Sequence, residues 1–575
     1  MDVQLGGHAG SMRSRNVRSS MAPDGSLQGG AWWPRLRLLR FRARNRGGTV
    51  TPWQWWALDA LAFAAILIAG IARLPQTFFG DQALNMLMGQ LIAQGGSPYV
   101  DLWDLKHPGI FFFFAVGGAL FGFNELGIHL FELLWMAALA VAVRIAAGQL
   151  LFNRVAIALA PLLTVGVYYA LTTSYHQTQT EAVIGLPLLV SLIAAVAAVR
   201  ARGRRPRAAW LIASGFSAGI VSLFKAPYIA VPVLFWALAV GEWRRTQYVG
   251  TRSAIRTLVP ALVAGVILPV GAAVVYLASV DALKAAWWTF VVHPGEAAQR
   301  EGVHPQRFVD ALTWFVRTFR VPLILAFVGG WDRFRRGWDL VPAALVAWLL
   351  GGLLVIWVQI ISWWPYHYLS LLVPVGLLAA SGIETLWRAV VRATRLPTRA
   401  LAIGSLLVLS ALFVRQLDPV KDVVGHAVRA SQLPGDARAL LVYQAARNPH
   451  RAALLEATSF LREPTSHPGP IYVFGHPVLY HLAGRQPAVP ILVWGTSPPA
   501  GTWGRLMREL EAAAPPYVLV HEEYLRPMTG HNPTMVREGA LRVRSHLADM
   551  YVELSTGESG TWYVRRDLAG QPPAR

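Results

Sequence analysis

Gly80-Asp81-Gln82 opens and Tyr99-Val100-Asp101-Leu102-Trp103-Asp104-Leu105-Lys106-His107-Pro108-Gly109 closes one polar loop. An apolar run ends before it near Arg73, and Ile110-Phe111-Phe112-Phe113-Phe114 begins another after it. Three carboxylates, a lysine and a histidine therefore lie between two greasy segments, where an ionisable group is costly unless it is paired or functional.

The composition settles what those segments are. The 575 residues are 54% hydrophobic and 14% charged, against roughly 25% charged in soluble domains, so an integral membrane protein is expected. The net charge of +21 would suggest nucleic acid in a soluble protein, but the basic residues fall in short clusters between apolar runs, the positive-inside pattern. No nucleic-acid partner is expected. Without a single cysteine, disulfides, thiolate nucleophiles and cysteine metal sites drop out. Residues 1–52, rich in Gly, Ser and Arg, read as a disordered cytoplasmic arm that lies on anionic lipid. A cleaved signal peptide is not expected, because the arm is long and the first apolar run is long enough to span.

Apolar runs occur near 53–73, 109–123, 126–148, 152–171, 182–199, 208–223, 227–241, 257–279, 319–331, 340–361, 366–386 and 399–415. At about 20 residues per crossing they give about eleven to thirteen transmembrane helices. Arginine clusters at 200–207, 244–256, 333–336 and 388–399 mark the cytoplasm, which puts the loop 75–108 on the extracytoplasmic side. Between Gly109 and Arg154 the parity holds only if one short segment, such as 109–123, fails to cross, or if a further crossing is hidden. Past 415 the composition turns to Pro, Gly, His and mixed charge. Runs at Ile471–Phe474 and Tyr517–His521 suggest strands around an amphipathic helix at Arg505–Ala513. The expected architecture is a polytopic α-helical membrane domain, 53–415, with a mixed α/β extracytoplasmic domain at 416–575. No internal repeat of the kind that builds secondary transporters is visible.

Asp81 directly follows Gly80 at the membrane boundary. It can take a proton from an alcohol or bind a metal ion, or simply cap the helix that Gly80 begins. Lys106 and His107 form a cationic pair suited to a phosphate, though each alone could be an interfacial residue. Glu181 closes a polar stretch from Thr172, and Lys225 sits between two spans at their outer ends. Glu132 and Arg144, inside apolar runs, read as a structural pair between helices. Trp363 to Tyr368 reads as an aromatic belt that includes His367 on the same face.

The order of these features resembles the GT-C membrane glycosyltransferases of the protein-mannosyltransferase and aminoarabinose-transferase type: an acidic loop after the first span, a Tyr…Asp…Lys-His-Pro-Gly segment before the second, Lys225-Ala226-Pro227, Tyr366-His367-Tyr368-Leu369 and a C-terminal outer domain. The resemblance spans roughly 53–530. It implies a bacterial plasma-membrane enzyme that moves a sugar from a polyprenyl-phosphate donor to a lipid, glycan or protein acceptor. It implies Asp81 as the catalytic carboxylate, or metal ligand if a divalent ion is used. Lys106 and His107 line the donor phosphate. From their outer position, Lys225 and His367 are added to that phosphate site. Relatives often carry Asp-Glu where this chain has Asp81-Gln82, so Asp101, Asp104 or Glu181 is expected to supply any second carboxylate. Direct displacement would invert the sugar. A transporter or flippase for a polyprenyl-linked or anionic solute, and a non-catalytic binding protein, remain the alternatives.

Overall fold

The computed structural model of the chain describes residues 52–300, 305–337, 339–359, 363–393, 437–494, 502–526 and 533–571. The expected arm up to residue 51, the expected span 399–415, and Arg395 and Arg399 lie outside the described residues. Among the described residues nine helices are long and apolar enough to cross a membrane, or ten if Pro305–Thr318 and Arg320–Arg336, bent by 84°, make one span. The chain is a multi-pass helical membrane protein with a small mixed sheet toward its C-terminus.

The chain runs through α1 (Pro52–Ile71), α2 (Gly80–Ala93), α3 (Pro108–Phe121) and α4 (Glu125–Leu150). Helix α3 answers the parity question. Its 14 residues reach about 21 Å at 1.5 Å per residue, short of a hydrocarbon core of about 30 Å. Gly109 at its start packs on the backbone of Leu223 and Phe224. Glu125, just past its end, pairs with Arg451 of the C-terminal region. Helix α3 is therefore too short to cross by itself and braces the bundle, with Val116, Leu120 and Phe121 exposed on its outer side. Its apolar face, with Phe111, Phe113 and Phe114 buried, meets α2, α4 and helix Arg204–Phe224, not lipid.

Tight crossings hold the bundle. A Cβ at Gly215 would come within 2.0 Å of the Leu262 carbonyl oxygen, and one at Gly265 within 2.3 Å of that of Ile212. Only glycine lets helices Arg204–Phe224 and Thr251–Ser279 approach so closely, the small-residue contact that drives helix association in lipid.

The two ends of the bundle differ. At the arginine end Arg200 donates to Gln149 at 3.1 Å, while Arg333 donates to the Leu150 carbonyl at 2.8 Å and to Glu384 at 3.2 Å. Gln149, Leu150, Arg200 and Arg333 line a cavity of about 400 Å³ with Glu242 and Asp339. The opposite, lysine end carries the loop between α1 and α3, together with Lys225 and His367. Above it sits a sheet in the order β1-β2-β4-β3, with β1 (Tyr472–Phe474), β2 (Tyr517–Val520), β3 (Tyr551–Gly557) and β4 (Gly560–Arg565). β1 pairs parallel to β2, and β4 pairs antiparallel to both β2 and β3. Helix Thr502–Ala513 packs Leu506 and Leu510 on Val518 and Val520, so the strands and the amphipathic helix lie where the short apolar runs and the helical period place them. The sheet region is tied to the bundle by Gln444 to the Pro75 carbonyl (3.2 Å), by the Trp103 amide to the Pro490 carbonyl (2.9 Å), and by the buried Glu125–Arg451 pair.

The expected Glu132–Arg144 pair does not form. Arg144 forks onto Asp59 of α1 at 2.7 and 2.8 Å, whereas Glu132 accepts from Tyr168 and from Thr178 (2.8 Å) and lies 3.3 Å from His129. Both charges are structural, as expected, but each finds its partner on an element distant in sequence.

Candidate active site at the lysine end

Helix α2 begins because Phe79, extended, leaves its amide to the Gln82 side chain at 2.6 Å. Gln82, not Asp81, makes that cap, which corrects the simple capping reading of the acid. The Gln82 carboxamide also donates to the carbonyls of Ser174 (2.6 Å) and Gln177. It is fully buried and clamps the loop 172–179 against α2. A glutamate here could accept the Phe79 amide but donate nothing, and would face two carbonyl oxygens as a buried anion. The glutamine is thus a requirement of this loop and does not stand in for a second carboxylate.

Asp81, freed from capping, turns to two partners. Its Oδ1 lies 3.1 Å from Lys106 Nζ, and its Oδ2 accepts from Tyr366 at 3.3 Å. The same ammonium lies 2.9 Å from Asp104. Burial disfavours the lysine cation, but Asp104 and then Asp81 outweigh it and hold Lys106 above the ordinary lysine range. Asp81 and Lys106 keep 22% and 18% of their side-chain surface, enough for a substrate to reach them. The Lys106 backbone is fixed by Tyr99, whose hydroxyl donates to its carbonyl at 3.0 Å. Tyr99 has φ 68° and Thr178, on the clamped loop, φ 52°. Left-handed backbone at non-glycine residues costs of order 1–3 kcal/mol and persists where the surroundings over-determine it.

Beside this cluster lies a second. Lys225 Nζ meets Glu181 Oε1 at 2.5 Å, and His367 Nε2 is 3.5 Å from the same oxygen. Because Tyr366 and His367 share the 3₁₀ turn Pro365–Leu371, one turn touches Asp81 and Glu181 together. Lys225 keeps 18% exposure while Glu181 and His367 keep 3% and 4%. His107 stacks on Phe290 at 4.6 Å. Burial first, then the nearby Lys225 charge, lower it to about 4, so the expected Lys106–His107 cationic pair is corrected to one cation beside a neutral ring.

Of the candidate residues, Asp81, Lys106, Asp104, Glu181, Lys225 and His367 come together, with His107 alongside. Asp101 does not: it is exposed and closes a turn by accepting the Ser97 amide at 2.7 Å. Tyr366 was hidden from sequence reading inside an apparent aromatic belt, and only its neighbour His367 stood out. As for a metal, among the described residues no three His, Asp or Glu side chains converge to hold one. Of the candidate carboxylates, Asp81 and Asp104 share one ammonium, that of Lys106.

The comparisons with known proteins bear on the fold. The model of the dolichyl-phosphate-mannose-protein mannosyltransferase family matches residues 106–276, which include Lys106, Glu181 and Lys225. ArnT from Cupriavidus metallidurans bound to undecaprenyl phosphate aligns with a TM-score of 0.56 at 15% identity, over 91% of this chain and all of that one. Its apo state aligns with 0.55 at 16% identity, over 91% and 99%. No curated protein sequence matches the chain. The fold is that of the GT-C membrane glycosyltransferases.

Proposed function

We propose that this chain, built on the GT-C fold, transfers a sugar from a polyprenyl-phosphate-linked donor to an acceptor hydroxyl at the extracytoplasmic face of a bacterial plasma membrane. One observation carries the reading: a reachable carboxylate, Asp81, shares its cation Lys106 with Asp104, while a second exposed cation, Lys225, stands one short turn away. In this unliganded arrangement both ammoniums are held by carboxylates. A donor phosphate draws Lys106 and Lys225 toward its oxygens, and Asp104 and Glu181 keep the lysines in reach. Asp81 Oδ1 is thereby released to accept the proton of the acceptor hydroxyl. The acceptor oxygen bonds to the anomeric carbon as the carbon–phosphate-oxygen bond breaks. The electron pair leaves with the polyprenyl phosphate, whose negative charge the two lysines stabilise, and a single displacement inverts the centre. Tyr366 orients Asp81 through its other oxygen. The undecaprenyl phosphate bound by ArnT supports a polyprenyl carrier here.

The test is transfer of radiolabelled sugar from a panel of polyprenyl-phosphate sugars by the purified protein in lipid, with and without chelator. Turnover by the wild type that survives chelation supports the reading. A folded protein that binds the donors but consumes none with any acceptor would favour transport.

A further inference from the structure

An aromatic strip leads from Asp81 into the sheet region. The indole of Trp494 presses on residue 80, where a Cβ would come within 1.6 Å of its ring, so Gly80 exists to seat Trp494 one residue from Asp81. From there the rings run outward through Tyr524, 5.4 Å from Trp494, and inward through Phe79 at 5.6 Å. Tyr175 follows at 4.9 Å from Phe79, and Tyr366, the partner of Asp81, at 5.4 Å from Tyr175. His476 flanks the indole at 4.6 Å. Phe79 is 38% exposed, a large aromatic left open at the mouth of a charged site, while Trp494, Tyr524 and Tyr175 are half-buried.

Resting on the glycosyl-transfer reading, we infer that this strip is the acceptor subsite and that it takes a saccharide. The fully buried Gln177 carboxamide, on the loop that Gln82 clamps, has neither atom paired, so the loop beside the strip holds unspent polar groups. The strip itself carries no charge: burial, then the charges of His450 and Arg451, hold His476 down to about 3. A phosphate therefore belongs with the lysines, and a neutral ring belongs on the strip. The outer ring Tyr524 follows the exposed carboxylates Glu522 and Glu523, a setting unsuited to an alkyl chain. Rings with polar rims, Trp and Tyr, bury an apolar face while their N–H and O–H stay available for hydrogen bonds, the match for a sugar ring with one C–H face and a rim of hydroxyls. A saccharide stacked on Trp494 lies one residue from the carboxylate that takes its proton.

Binding is tested without donor or turnover, so it stands or falls separately from catalysis. The full chain in nanodiscs is mixed with maltotriose, cellotriose or chitotriose, or with a Ser/Thr-rich peptide, and contact is read by saturation-transfer NMR. At least one triose is expected to bind. Its dissociation constant is expected to rise about tenfold or more in Trp494→Leu and in Tyr524→Ala, the second guarding against misfolding of the first. No contact from any triose, unchanged binding in both folded variants, or contact from the peptide alone would overturn the assignment.

Discussion

The two ends of the bundle both pair buried or half-buried charges, yet the candidate site at one end is built on lysines where the other end, like the Glu125–Arg451 tie to the sheet region, uses arginines. At the arginine end Arg144 forks onto Asp59, Arg333 ties Glu384 to the Leu150 carbonyl and the Ser381 hydroxyl, and Arg388 binds Asp332 at 3.0 Å. At the other end the carboxylates Asp81, Asp104 and Glu181 meet lysines. An arginine fork fixes two or more acceptors at once and stays, whereas a lysine is a point charge on a flexible stem that can change partners. One end is fastened and the other is poised to exchange. The sequence underlines this: among 52 basic residues only positions 106, 225, 284 and 421 are lysine, and two of the four are in the site.

Among the cations that set the two ends apart, removing an exchangeable one gives the largest expected effect. Lys225→Met is expected to lower the transfer rate per folded molecule by about 100- to 1,000-fold, as losing one charge-stabilising donor does, beyond the fall in melting temperature that follows when buried Glu181 loses its cation. An equal loss of stability and activity would make Lys225 a structural group like the arginines. Next, Gln82→Glu is expected to cost about 2–4 kcal/mol, through two lost donor bonds and a buried anion, read as a fall in thermal stability. Tolerance of glutamate would show that the loop 172–179 is not clamped through that side chain.

How much of this was legible in the sequence depends on the range of the interaction. Local patterns carried far. The apolar runs marked the helices, short β-branched and aromatic runs marked Tyr472–Phe474 and Tyr517–Val520, and the arginine clusters around 200, 333 and 388 marked a single end. Apolarity did not tell 109–123 from a span, because phenylalanines buried in protein and in lipid look alike in one dimension. The partners of Glu132 and Arg144, and the reach of Tyr366 to Asp81 across 285 positions, depend on which helices pack side by side, and no local signal encodes that. Gln82 looked like a missing carboxylate because its carbonyl partners, Ser174 and Gln177, lie on another loop. The scarcity of lysine was the one unused signal that pointed straight at the site.

Acid separates the covered site from solvent. Burial lowers His176 to about 4 and His476 to about 3, from an ordinary value of 6.5. An unfolded chain takes up protons there that the folded one refuses, so this contribution is complete above pH 6.5 and is lost as pH falls toward those lower values. The slope is up to about 1.4 kcal/mol per pH unit for each ring. Melting curves between pH 7 and 4 should show the loss, and His476→Gln should flatten part of it. A flat profile in the wild type would mean that these rings are solvated. The smallest effect belongs to the fastened end: Arg333→Lys is expected to cost about 1 kcal/mol of stability, with transfer per folded molecule unchanged. A matching fall in transfer would erase the contrast between the ends.

The central claim is that Asp81 performs the chemistry that the lysines prepare. It is tested most directly by the transfer rate of Asp81→Asn, measured beside the wild type in the same lipid with donor binding shown intact. A drop of about 100- to 10,000-fold is expected for loss of a general base. A folded, donor-binding variant that transfers at the wild-type rate would contradict it.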